Sequence, residues 1–328
     1  MIATQSIGET GVRISELGLG AATLGGIFEA VPDTSARDIL DRAIDAGITY
    51  FDTAPFYGHG LSEHRVGAAL RGRTDLTLST KVGRLLRPGV DPDPGAWVDA
   101  LPFTVVYDYS YDGIMRSFEA SQHRLGRDKI DILYMHDIGD PGHETNDPAL
   151  FDIAMQDGYR AMNELRRSGV VQAIGLGVNG ADVLMRALDH GDWDVFLLAG
   201  RYTLLEQAPL DDLFPKCAEQ SCRIVIGGPF NSGILAGGDT FDYGAIPENI
   251  ARQVQQISAV ARDHCVPLAA AALQFCRAHP LVTSTIPGPR NVGELDQVLD
   301  WWTHPIPTGF WSDLKSAGLL RPDAPTER

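Results

Sequence analysis

The chain has 328 residues, with 27 Lys and Arg against 43 Asp and Glu, so its net charge is −16. No basic run or stripe offers itself to a nucleic-acid backbone, and an anionic membrane surface is disfavoured on the same ground. The longest apolar stretch, residues 266–276, contains Pro267 and Gln274 and is too short to span a bilayer.

Length alone allows two domains, but a single α/β barrel absorbs as many residues. The opening MIATQSIGET has neither a basic nor an apolar signal region, so no secretory leader is expected. Cys217, Cys222, Cys265 and Cys276 lack CxxC spacing and are expected as reduced thiols in a cytoplasmic protein.

Strand-like and helix-like runs alternate along the chain. The pattern predicts strands at 17–21, 49–53, 76–81, 130–135, 171–177, 195–199, 223–227 and 282–286. Helices are predicted at 35–46, with Asp33 or Thr34 as cap and Gly47 as stop, and at 62–70, capped by Ser62. Others follow at 112–125, 149–167, 181–190, 210–221, 247–264, 268–278 and 292–301. The runs IDILYM, VFLLA and RIVIG are apolar throughout, as parallel strands buried on both faces require. Eight such units favour a closed (β/α)8 TIM barrel in one domain over 1–328. Residues 1–14 are expected to form a hairpin plug around Glu9-Thr10-Gly11, and 305–328 a C-terminal extension with an extra helix.

Gly175-Leu-Gly177-Val-Asn-Gly180 matches GxGxxG, and Asp194 lies where a ribose-binding acid would be wanted. Four βα units precede it, whereas such a fingerprint opens its domain. A tight strand-to-helix turn is the preferred reading.

In a βα barrel the reactive groups sit at the C-terminal strand ends. Strand two ends in Asp52, with Tyr57 close behind in DTAPFYG; strand three ends in Lys81, and strand four in His136. A buried Lys is costly unless paired, and Asp52 is its natural partner. Lys81 is then expected to favour the phenolate of Tyr57, making it a general acid/base. No metal site is expected; His136, Asp137 and His143 are the nearest approach.

Asp52, Tyr57, Lys81 and His136 resemble the catalytic tetrad of the aldo-keto reductases, βα barrels that bind a nicotinamide cofactor without a Rossmann domain. The likeness runs through LGLGAATLGG, GITYFDTAPFYGHGLSEHRVGAAL and TIPGPRNVGELDQVL. Within the superfamily, VVYDYSYDGIMRSFEASQHRLG, LYMHDIGD and GGPFNSGIL are similar to the branch of sugar 1-dehydrogenases. The resemblance implies that Tyr57 exchanges the proton, Lys81 held by Asp52 tunes it, and His136 orients the substrate oxygen. It implies Asn179 at the nicotinamide carboxamide and Gly228, Pro229, Phe230, Asn231, Gly233 and Leu235 around the pyrophosphate. Gly288, Arg290, Asn291, Glu294 and Gln297 would hold the adenosine end.

There are departures from the family pattern. Val178 stands where many relatives carry Ser, Ala199 where Gln is usual, and Gly227 near the usual stacking aromatic. Tyr202 or Phe230 is expected to take the aromatic's place. Glu294 falls where a phosphate-binding Arg is frequent, so NAD is expected over NADP, although Arg290 pulls the other way. Phe103, Tyr107 and Tyr109, in the long loop 84–109, either close on substrate or pack on the rim; Asp137 and Tyr202 are further substrate candidates. Trp301, Trp302 and Trp311 are expected to serve packing.

The resemblance implies oxidation of C1 of an aldose, of the L-fucose or D-threo type, to its lactone. Alternatives are pyridoxal oxidised at its 4-position, a carbonyl reductase using NADPH, and a redox-sensing regulatory barrel subunit. The expected partner is a small sugar or aldehyde; oligomeric state is not legible.

Overall fold

A computed structural model describes residues 2–89, 93–139 and 145–327. Eight parallel strands form the barrel: β1 (Leu19–Gly20), β2 (Tyr50–Asp52), β3 (Thr77–Val82), β4 (Ile130–His136), β5 (Val171–Val178), β6 (Val195–Ala199), β7 (Arg223–Gly227) and β8 (Val282–Ile286). Each pairs with the next in sequence. The ring closes where Leu17 bridges Thr285 and Gly20 N donates to the Pro287 carbonyl at 3.0 Å. Helices alternate with the strands around the outside, giving the (β/α)8 architecture.

The N-terminal hairpin pairs Thr4–Ser6 with Arg13–Ser15 and drives Ile7, Val12 and Ile14 into the barrel interior. There they meet Tyr50, Ile132, Tyr134, Val195, Leu197 and Val225, inward-facing residues that fill the core rather than leaving a pore. Three hydroxyls run through this filling: Tyr134 OH lies 3.2 Å from Tyr50 OH, which lies 3.0 Å from Ser79 Oγ.

Gly175, the first glycine of GxGxxG, sits inside β5. A Cβ there would fall 1.6 Å from the Val195 carbonyl oxygen, so it is a strand–strand contact and not a dinucleotide turn. Asp194 pairs with Arg166 at 2.7 Å and accepts the Ile174 N–H at 2.8 Å, which commits it to structure.

Two expected helix caps fail. Helix Asp33–Asp45 starts after Pro32, and Asp33, already helical, accepts from Arg65 at 2.6 Å instead of capping. Helix Leu61–Ala69 starts after Gly60; the Ser62 hydroxyl donates to the Ala21 carbonyl (2.7 Å) and meets Thr53 Oγ1 (2.8 Å), tying the helix to the ends of β1 and β2. The helix expected over 149–167 is two segments, Pro148–Ile153 and Tyr159–Ser168, joined by a π-helical turn at Ala154–Gly158. That turn passes close to the rim: a Cβ on Gly158 would lie 2.7 Å from the Tyr109 carbonyl oxygen. The long loop after β3 contains a hairpin that periodicity does not reveal, pairing Arg84–Pro88 with Phe103–Tyr107 across the rim. The tail carries helix Thr308–Ser316; Trp311 packs on Phe310 and Phe275, and Trp302 under Arg277. No helix of the described residues is long and apolar enough to cross a membrane.

Candidate active site

Asp52, Lys81 and His136 close three adjacent strands at the C-terminal mouth of the barrel, and Tyr57 follows β2. Lys81 Nζ donates to Asp52 Oδ2 at 2.6 Å and to the Thr53 carbonyl at 2.9 Å. Ser79 Oγ donates to Asp52 Oδ1 at 2.6 Å. Both charged groups are buried, at 1% and 2% exposure. Burial pushes the Asp52 carboxyl up, against the opposing pull of Lys81 and Ser79. The Tyr57 ring lies under the Lys81 ammonium, 4.6 Å from its centroid, and edge-on to His136 at 5.8 Å.

The Tyr57 phenol sits well above its ordinary range, not below it. Burial is the first cause, followed by the charges of Asp52 and Asp137; the cation that opposes them is Arg84. Lys81, expected to favour the phenolate, is not among these causes; its ammonium is bonded to Asp52 and lies against the ring face.

The turn bearing Tyr57 is set by backbone contact. A Cβ on Gly25 would fall 2.5 Å from the Tyr57 carbonyl carbon and 2.7 Å from Gly58 N. Backbone cannot yield as a flexible side chain can. Gly25→Ala is therefore expected to destabilise the protein by about 1–3 kcal/mol, read by chemical denaturation. An unchanged midpoint would mean that the two loops separate freely.

The rim supplies three residues that sequence reasoning missed. Trp97 reaches back from the long loop to wall both Tyr57 (5.6 Å) and Phe56 (5.3 Å). Arg84, the first residue of the rim hairpin, is buried and donates to Asp137 Oδ2 at 2.5 Å. Tyr243, in the loop after β7, lines a cavity of ≈ 100 Å³ with Asn179, Ala199, Gly200, Gly228, Asn231 and Ser232. Asp242 beside it is held by both carboxylate oxygens on Arg201, at 2.9 Å each. Loop residues of this kind carry no periodicity, and only strand-end logic was available to find them.

Several expected substrate and cofactor residues lie elsewhere. Tyr202 is wholly buried among Phe214, Phe275 and His279, and Phe230 turns edge-on to Trp301 at 5.8 Å; neither ring lines the cavity of Asn179. Tyr109 is buried and donates to the His136 carbonyl at 2.6 Å, a supporting contact rather than an open substrate wall. Phe103 and Tyr107 remain half-buried on the rim hairpin; His59 Nδ1 donates to the Phe103 carbonyl at 2.8 Å. His143 lies outside the described residues. Among the described residues no group of three or more His, Cys, Asp or Glu is placed to hold a metal. Cys217, Cys222 and Cys276 are buried free thiols and Cys265 an exposed one.

The residues present fit a dinucleotide. Gly228, Asn231, Ser232 and Gly233 all have left-handed backbone, with φ of 55°, 47°, 62° and 113°, which curls the chain after β7 into a concave turn. Asn231 Nδ2 donates to the Gly200 carbonyl at 3.0 Å, while its buried Oδ1 has no partner among the described residues. At the far end Asn291 caps helix Val292–Thr303 by accepting from Glu294 N at 2.9 Å. Arg290 and Glu294 do not oppose each other as separate groups. Arg290 donates to Glu294 through its backbone N–H (2.9 Å) and Nε (3.1 Å), and to Glu29 at 3.3 Å.

Fold and site together define an oxidoreductase carried on a barrel. The chain belongs to the aldo/keto reductase family, whose profile matches residues 16–318. It is 40% identical to pyridoxal 4-dehydrogenase of Microbacterium luteolum, over 96% of this chain and 97% of that protein. It is also 40% identical to D-threo-aldose 1-dehydrogenase of a Pseudomonas species, over 94% and 96%. Among solved structures it is similar to the holo form of an aldo-keto reductase from Bacillus halodurans. That likeness has a TM-score of 0.76 at 25% identity and covers 96% of each chain.

Proposed function

We propose that this protein oxidises C1 of a cyclic aldose to the lactone, using NAD. The chemistry is carried by the buried Asp52–Lys81 pair beneath Tyr57, with His136 alongside. Tyr57 takes the proton of the anomeric hydroxyl, and His136 donates a hydrogen bond to the same oxygen and orients it. Lys81 holds its charge at the phenol face because Asp52 and Ser79 fix it there. The bound dinucleotide supplies the acceptor for the hydride leaving C1. Asn179, Gly228, Pro229, Asn231, Gly233 and Leu235, with the backbone but not the ring of Phe230, would cradle its nicotinamide and pyrophosphate, and Gly288, Arg290, Asn291, Glu294 and Gln297 its adenosine end. The whole chain works as one unit. A cytoplasmic setting is supported by cysteines none of which pairs with another.

The preference for NAD rests on Arg290. Glu294 and Glu29 both engage it, so two carboxylates surround one guanidinium where a 2′-phosphate would need free positive charge. We expect kcat/KM with NAD to exceed that with NADP by about tenfold or more, since a tenfold ratio needs only about 1.4 kcal/mol. An equal or larger value with NADP would refute the preference.

Substrate class rests on likeness to the aldose 1-dehydrogenase. Equal likeness to the pyridoxal enzyme favours a second reading, oxidation of pyridoxal as its cyclic hemiacetal, which presents the same hydroxyl on a ring carbon. Nicotinamide absorbance, followed with NAD and NADP against L-fucose, D-arabinose, L-galactose, other aldoses and pyridoxal, separates the two. Turnover of pyridoxal with none of any aldose would replace the first reading by the second.

A further inference from the structure

We propose that Asn231 and Tyr243, both in the loop after β7, form the nicotinamide end of the dinucleotide site. Asn231 Oδ1 accepts a hydrogen bond from the carboxamide N–H, and the Tyr243 ring covers the pyridine face. This rests on the dinucleotide use proposed above.

The cavity of ≈ 100 Å³ opens where β5, β6 and β7 end, at Asn179, Ala199, Gly200 and Gly228. Its size suits a single planar ring and not a whole dinucleotide, since an engineered cavity of about 150 Å³ holds benzene. Gly200 and Gly228 leave bare backbone on two sides of it. The rest of the lining is small or polar, and among the described residues Tyr243 is its one aromatic.

Asn231 is buried, at 3% exposure. Its Nδ2 donates to the Gly200 carbonyl at 3.0 Å, and because a carbonyl can only accept, the orientation of the amide is fixed. Oδ1 is then a buried acceptor with no partner among the described residues. Such a group is destabilising until a donor reaches it. A phosphate oxygen cannot serve, because it too only accepts. A primary carboxamide on a flat ring can, so this atom marks the nicotinamide end of the loop rather than the pyrophosphate.

Tyr243 is held out on purpose-built backbone. Phe241 and Gly244 exchange both main-chain bonds, at 3.0 and 2.9 Å, around Asp242 and Tyr243. The φ of 49° and 62° at these two central residues makes a tight hairpin turn of the kind that favours Asn-Gly. Asp and Tyr in that turn carry backbone strain. Three contacts hold it against the strand ends. Asp242 grips Arg201 with both carboxylate oxygens, Tyr243 N–H donates to Ser232 Oγ at 2.9 Å, and Thr240 Oγ1 donates to the Ser232 carbonyl at 2.5 Å. The outcome is a large aromatic residue, 55% exposed, at the edge of a polar cavity. A planar ring seated in the cavity covers it and gains the contact.

Calorimetric titration with three probes, or with their 2′-phosphates, tests both contacts. NAD carries the ring and the carboxamide. Its 3-acetylpyridine analogue has a methyl in place of the amide nitrogen, and ADP-ribose lacks the ring. The wild type should bind NAD about 3- to 10-fold more tightly than the acetyl analogue, the effect of one hydrogen bond. In Asn231→Gly, which suits the left-handed backbone there (φ 47°), that ratio should fall by the same factor. Tyr243→Leu should weaken NAD on the order of tenfold and leave ADP-ribose unchanged, whereas Tyr243→Phe should keep both. Each ratio is taken within one variant, so a general loosening of the loop cancels.

If Asn231→Gly leaves the ratio of NAD to acetyl analogue unchanged, or Tyr243→Leu weakens NAD and ADP-ribose alike, the loop is scaffolding and the proposal fails. If the ratios move as expected and neither an aldose nor pyridoxal is turned over, the substrate reading fails and this inference stands. If the wild type binds neither NAD nor NADP, both fall.

Discussion

Tyr57→Phe is expected to lower turnover by about 10²- to 10⁴-fold, the range that a positioned acid or base contributes. The substitution removes one oxygen and keeps the ring that Lys81, His136 and Trp97 touch. Cofactor affinity, read by quenching of protein fluorescence, should therefore stay near the wild-type value. The wild-type rate of oxidation should rise with pH, because burial, Asp52 and Asp137 make the phenolate the minor form. The sign follows from the direction of the shift: the active base is deprotonated, and its phenol is held above the ordinary range. Tyr57→Phe should flatten that rise. Near wild-type turnover in the variant would remove Tyr57 from the mechanism.

Lys81→Met should cost both activity and stability. Asp52 would then be a carboxylate with 2% exposure and one remaining hydroxyl donor. Breaking a buried pair in this way costs about 3–5 kcal/mol, because the surviving charge is left without compensation. The loss should depend on pH. A buried acid whose folded-state value is raised takes up a proton on folding, so its protonated form is favoured in the native state. Stability is then highest at acid pH and falls as pH rises from the ordinary carboxylate range, about pH 4, towards the raised folded value. Denaturation of the variant and the wild type at acid and at neutral pH should show the larger difference at neutral pH. Equal differences would mean that Asp52 is not left charged in the variant.

The sequence already carried most of the barrel. Val195–Ala199, Arg223–Gly227, Val282–Ile286 and helix Leu268–Ala278 fall where the alternation of strand-like and helix-like runs places them. These segments are continuous, bounded by turn residues, and buried on both sides. The meeting of Asp52, Tyr57, Lys81 and His136 was legible too, because strand ends in a parallel barrel converge whatever the loops do. What escaped was non-local. FTVVY pairs with RLLRP across a gap of fourteen residues, and nothing in either segment names its partner. Arg84 meets Asp137 from 53 positions away. Tyr202 looked like a rim aromatic but is drawn outward by Phe214 and Phe275, a packing choice that only the assembled helices impose. The caps depart from the sequence expectation because Asp33 and Ser62 have longer-range partners than their own helices.

The hydroxyls in the barrel filling have a direction. Ser79 has one proton and gives it to Asp52, so Tyr50 must donate to Ser79 Oγ. The Tyr50 proton is then spent, and Tyr134 must donate to Tyr50. The row is thus polarised, with every O–H aligned towards one carboxylate. The same side chains that fill the barrel therefore bring three aligned bond dipoles to the foot of the reaction centre, with Tyr134 at the far end.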